Sequence, residues 1–234
     1  MKMKRWIVLI VALSLLLCGC VNAMAEDTAP TDNTVPETTA VPETVAAEET
    51  EAVRTITPLP DDTMENLTDA ILAVSLEEGG AYVDDQGIMQ MDLKIYAYDK
   101  YDMVDVAALK VGDTLVRHDG ADEVNAIERD ESGRIFINGG FDAEGMDLAT
   151  DEDGVFYEVG FNDARNWYEV GEATIRVSSD FVGVDNADLE LGEVILYPGD
   201  FLAGAVTNYD FTPYNTTIRV ENGQIVELNR RYTP

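Results

Sequence analysis

The 234-residue chain has two cysteines, Cys18 and Cys20, and none after them. That excludes a disulfide framework, a cysteine zinc site and thiol catalysis from everything that follows. It has one histidine, His118, so neither a histidine-rich zinc site nor an H-E-x-x-H motif can be built. A Ser-His-Asp triad would have to run through that single ring and one of Ser75, Ser132, Ser178 or Ser179. Positive charge is equally scarce, at 15 Lys and Arg against 46 Asp and Glu, for a net charge of −31. Such a field repels nucleic acid, anionic lipid and anionic wall polymers, which argues against a nucleic-acid function. No G-x-S-x-G, phosphate-binding glycine loop or dinucleotide fingerprint occurs. Hydrophobic runs are short as well: Trp6 to Leu17, interrupted only by Ser14, spans about twelve residues and falls short of a bilayer.

What stands at this end of the chain has the layout of a secretory signal. Lys2, Lys4 and Arg5 precede the apolar run, and small residues follow it. Two processing sites compete within "LLLCGCVNAMAEDT". Ala23-Met24-Ala25 puts small residues where a signal peptidase needs them, giving a signal peptide over residues 1–25. Leu17-Cys18-Gly19-Cys20 resembles a bacterial lipobox, giving a leader over 1–19 and a lipid on Cys20 as the one membrane contact. Removing residues 1–25 takes away three bases and no acid, leaving 12 bases against 46 acids and a net charge of −34.

Residues 26–53, "EDTAPTDNTVPETTAVPETVAAEETEAV", hold eight acids, no base and no aromatic residue. This composition predicts a disordered, charge-extended Thr/Pro/Glu tether with a root-mean-square span of about 30 Å. A tether suits an anchor, which favours lipidation at Cys20. The expected destination is the cell surface or the extracellular medium.

From Arg54 to Pro234 aromatics appear and short apolar alternations are separated by turn signals. Asp61, Asp62 or Thr63 caps a short helical turn through Met64 and Leu67, and Ala70 to Leu76 alternate as a strand. "MQMDLKIYAY" sets Met89, Met91, Leu93, Ile95 and Ala97 on one face and Gln90, Asp92, Lys94, Tyr96 and Tyr98 on the other, the period of a half-buried strand. Further strands are expected over 114–117, 123–128, 134–138, 155–161, 173–177, 194–197, 216–220 and 224–232. Asn222-Gly223 is the clearest hairpin turn, since both positions tolerate positive φ. The pattern predicts an all-β, mainly antiparallel domain, a sandwich or a barrel. Gly112, Gly171 and Gly192, each followed by an acid and an apolar strand, are expected at glycine-requiring turns.

The segments "YDMVDVAALKVGDTLV", "RIFINGG" and "PYNTTIRVENGQIVELNRRYTP" resemble those of small secreted proteins and lipoproteins of Gram-positive bacteria. That resemblance implies an exported β-rich domain and carries no activity. Leu109 to Gly140 also resembles three strands of an SH3-like barrel, a shape shared by many functions.

Three groups of side chains invite a function. Tyr96 and Tyr98 share one strand face and Tyr101 follows, a platform for sugar rings or a protein partner. Trp167, beside Tyr168, poses the same question. In "ATDEDGVFYEVG", Asp151, Asp153 and Gly154 match the third, fifth and sixth positions of an EF-hand loop. Ala149 at the first and Gly160 at the twelfth exclude that motif, leaving Asp151 and Asp153 as candidates for weak calcium binding and no other cofactor expected. His118 reads as a lone exposed histidine. The residues therefore predict a non-catalytic binding or interaction module for a protein or glycan at the cell surface, with a small carboxylate-dependent hydrolase such as a glycosidase as the alternative.

Overall fold

A computed structural model describes residues 52–206 and 208–233, which belong to one compact unit. The expected leader, Cys20 and the expected tether up to residue 51 lie outside the described residues.

Fifteen strands and two short helices follow in order. First come β1 (Thr55–Ile56), β2 (Ala70–Ser75), β3 (Ala81–Val83), β4 (Met89–Ala97), β5 (Lys100–Tyr101) and α1 (Met103–Ala107). Next are β6 (Thr114–Arg117), β7 (Gly120–Glu123), β8 (Ile127–Arg129), β9 (Ile135–Ile137), β10 (Met146–Thr150) and β11 (Phe156–Val159). Last are β12 (Tyr168–Asn186), β13 (Val194–Leu196), α2 (Pro198–Leu202), β14 (Thr216–Glu221) and β15 (Gln224–Arg231). The domain is all-β, as the alternations require, and the helical turn ahead of β2 is a single 3-10 turn at Thr63–Glu65.

Five strands close into a barrel through the pairs β2–β4, β4–β12, β12–β15, β15–β14 and β14–β2. Closure depends on β12, whose first half pairs antiparallel with β4 and whose second half pairs parallel with β15. A register shift between Val177 and Val182 bends it from one partner to the other. Counted in chain order within the ring, the strands run 1-2-3-5-4 with the third and fifth parallel and α2 between the third and fourth. That is the connectivity of the OB barrel. Inward residues of every strand, among them Val74, Met91, Ile95, Ile218 and Ile225, fill the interior, and Phe201 of α2 joins Phe181 and Phe211 in the same core. At one end the buried Arg230 is held by Asp185, and its guanidinium lies 4.3 Å from the Phe211 ring centroid.

Residues 98–167, between β4 and β12, form a second core together with β1. The three-stranded sheet β1-β6-β7 and the five-stranded sheet β5-β11-β10-β9-β8 share it through Ile56, Leu115, Ile135, Ile137, Leu148 and Tyr101. The strands from Leu109 to Gly140 thus divide between two sheets. Residues 123–128 do not make one strand. Val124 is buried, and the Asn138 side chain accepts the Asn125 and Ala126 N–H groups at 2.7 and 3.1 Å, turning the chain from one sheet to the other.

The glycine readings divide in the same way. Asn222 and Gly223 have φ of 51° and 71°, the paired positive values of the expected hairpin, and Gly112 and Gly192 also sit at positive φ. Gly171 does not stand at a turn. It lies within β12 beside a register shift, where an added Cβ would meet Met64 Cε at 2.9 Å, a contact the flexible methionine can relieve by shifting, so neither a turn nor tight packing demands glycine there.

Candidate functional site

A groove of about 590 Å³ crosses the outside of the barrel. Its floor follows from strand register. Tyr96 of β4 pairs with Ala73 of β2, Ala73 with Thr217 of β14, and Thr217 with Asn229 of β15, so these outward residues form one row across four strands. Alternation has put Leu72, Val74, Ile218 and Leu228 inside, leaving two small side chains, Ala73 and Thr217, in the middle of the row. A trough between Tyr96 and Asn229 results. Tyr96 is fixed at its end by a 3.1 Å hydrogen bond between its hydroxyl and that of Ser75. Ile71, also on the outer face of β2, is 72% exposed and adds apolar floor.

One wall is aromatic. The β4–β12 ladder ends at the Ala97–Tyr168 pair, and just beyond it Tyr98 stands beside Trp167, with ring centroids 5.0 Å apart and planes at 85°. Tyr157 meets Tyr98 edge-on at 5.9 Å. Arg165 lies over the cluster, its guanidinium carbon 4.7 Å from the Tyr98 centroid and 5.1 Å from that of Tyr157. Such cation–π contacts orient a cation without neutralising it. Burial pushes the Tyr98 phenol above its ordinary value, against the pull of Arg165. Tyr214, Asn215 and Arg231 also line the groove.

Two of the three tyrosines read as a platform are therefore in the groove. Tyr101 is not: it is fully buried, its hydroxyl donates to the Val116 carbonyl at 3.0 Å, and burial drives its phenol far up. The reason is periodicity, since Tyr101 has the parity of the core-facing residues of its sheet, opposite to Tyr98.

Asp151 and Asp153 form a turn. Asp151 Oδ1 accepts the N–H groups of Asp153 and Val155 at 3.0 and 3.2 Å, and its Oδ2 lies 3.4 Å from the Tyr98 hydroxyl. Its carboxylate is spent on its own loop and on the aromatic wall. Among the described residues, no group of three or more His, Cys, Asp or Glu is placed to hold a metal ion.

His118 is at the surface but engaged. Its Nδ1 is 3.0 Å from Asp99 Oδ2, its N–H donates to the same oxygen at 2.9 Å, and its ring stacks on Tyr168 at 3.9 Å and 17°. Burial and the neighbouring Asp99 and Asp61 carboxylates push the Tyr168 phenol up to about 12. Glu158 is buried nearby, ion-paired with Arg117 at 3.4 Å, and its carboxyl is raised chiefly by burial. The sequence reading missed this knot, and also the groove's cations, because their partners are tens of residues away.

The face formed by barrel strands two and three, where OB barrels often bind oligomers, carries Asp92, Glu172 and Lys94 beside Glu77 and Glu78 of the preceding turn. It is the more acidic of the two surfaces. No family model matches this chain, and no curated protein or solved structure matches it either.

Proposed function

We propose that this domain is a non-catalytic binding module, exported and displayed at the cell surface or released, that takes a carbohydrate chain in the groove across β4, β2, β14 and β15. One observation carries the reading: Tyr96, Tyr98 and Trp167 flank a trough whose middle is kept open by Ala73 and Thr217. Aromatic rings pack against the C–H faces of a pyranose, and the exposed Asn229 side-chain amide supplies directed hydrogen bonds to hydroxyls. The acidic, aromatic-free composition of 26–53 and the lipobox-like stretch ending at Cys20 support display on a tether.

Glycan-array binding by the purified protein tests this reading, with Tyr96→Ala and Trp167→Ala expected to weaken binding roughly tenfold or more each. Binding unaltered in both variants would remove the groove from the account. Turnover of a glycoside or ester, abolished by a single Asp→Asn or Glu→Gln change, would replace it with the hydrolase reading.

A further inference from the structure

We infer that the groove selects saccharides that bear carboxylates, an inference that rests on the carbohydrate reading above. The chain has 46 acids and 15 bases. The groove inverts that ratio: Lys100, Arg165, Arg230 and Arg231 line it, against the single acid Asp62 among its described lining residues.

Arg230 is committed to Asp185, and of the other three cations only Arg165 has a carboxylate within ion-pair distance. Lys100 and Arg231 make no ion pair among the described residues, and the Lys100 ammonium lies 5.2 Å from the Tyr98 centroid. For Arg165 the nearest carboxylate oxygen, Asp151 Oδ2, is 4.0 Å away, too far for a hydrogen bond. Its Nε is shielded from solvent and finds no acceptor among the described residues. These cations come from β5, the segment before β12 and the end of β15. A surface with three acids per base has carboxylates to spare, yet Asp62 is the one acid among the groove's described lining residues, with Asp151 at its edge beside Arg165.

The chemistry that uses such an arrangement is a pyranose ring with an acid attached. Tyr98 and Trp167 offer faces or edges to the ring, while a guanidinium presents parallel N–H donors to a planar carboxylate. The overall field sets a limit on the ligand. A densely charged polyanion is repelled at long range, so the fit is to chains in which acidic residues are sparse or partly esterified.

The test uses pairs of oligosaccharides that share a backbone, one member a free uronic acid and the other its methyl ester, arrayed against the purified protein and then titrated calorimetrically. The free acid is expected to bind roughly tenfold tighter than the ester. Arg231→Gln and Lys100→Gln, both at solvent-accessible positions outside the two cores, are expected to reduce affinity for the acid several-fold more than for the ester. Equal affinities, a preference for the ester, or an acid-to-ester ratio unmoved in both variants would overturn carboxylate selectivity and leave the carbohydrate reading standing. Silence toward every acidic, esterified and neutral member would overturn both.

Discussion

The Trp167 indole meets the Tyr98 ring edge-on at 5.0 Å and 85°, although 69 residues separate the two in sequence. The β4–β12 ladder, whose last pair is Ala97 and Tyr168, is what brings them together. The aromatic wall is thus an extension of barrel closure, and the position of the groove depends on the barrel being intact.

Arg165 links the wall to the loop that carries Asp151. Replacing Arg165 with Ala removes its contacts with Tyr98, Tyr157 and Trp167 and leaves Asp151 without a nearby cation. The expected cost is about 1 kcal/mol, because the side chain is partly exposed and cation–π contacts there are modest. Binding is expected to fall more than stability does. Chemical denaturation and ligand titration of the same variant separate the two effects.

Tyr101→Phe separates core from platform. The phenol is buried and donates one hydrogen bond to the Val116 carbonyl, so its loss is expected to cost about 1–2 kcal/mol while leaving ligand affinity unaltered. A urea titration reads the first effect and calorimetry the second. A large loss of affinity with stability preserved would return Tyr101 to the binding surface.

Asp185 and Arg230 are directly paired across the parallel β12–β15 ladder, and the Arg230 side chain is only 3% exposed. Arg230→Met strands a buried carboxylate and is expected to destabilise the fold by about 3–5 kcal/mol. Replacing both partners by apolar residues of similar volume is expected to cost markedly less, since no unpaired charge is then left inside. Equilibrium unfolding of the two single variants and the double variant measures the difference.

Glu158 gives stability a pH dependence of definite sign. Burial raises its carboxyl above the ordinary 4.5, so its favourable contribution is complete below that value and is lost as pH rises through the folded value. Glu158→Gln lacks this titration. Its melting temperature relative to the parent is therefore expected to climb as pH is taken upward from 4. Glu227 has the opposite sign: hydrogen bonds from Arg219 and Asn229 hold its carboxyl low, and that support is lost on acidification. A difference for Glu158→Gln that is flat with pH would contradict the burial argument.

Much of the barrel was legible in the residues. The alternation over Met89 to Ala97 specifies β4 with its inward face, and Asn222-Gly223 specifies the β14–β15 hairpin, because both signals are local. Other features needed partners far along the chain. The expected strand at 173–177 is part of a 19-residue β12, whose full length comes from pairing with β4 along its first half and with β15 and β13 along its second. His118 reads as idle until Asp99 and Tyr168 are placed against it. Tyr96 and Tyr98 were identifiable as outward residues of a strand, and Trp167 as an ambiguous aromatic. That Lys100, Arg165 and Arg231 gather around them was not legible, because no sequence period connects β5, the segment before β12 and the end of β15.

Trp167 makes the central claim directly measurable, since the only other tryptophan in the chain is Trp6, in the N-terminal apolar run. Titrating the purified protein with the strongest glycan from the array while following indole emission reports occupation of the groove. The result predicted is a saturable change in emission that is abolished or weakened roughly tenfold by Thr217→Tyr, which fills the trough from an outward, strand-compatible position. The contrary result is glycan binding of parental strength in folded Thr217→Tyr, with Trp167 emission unmoved in both proteins; the ligand would then bind elsewhere on the domain.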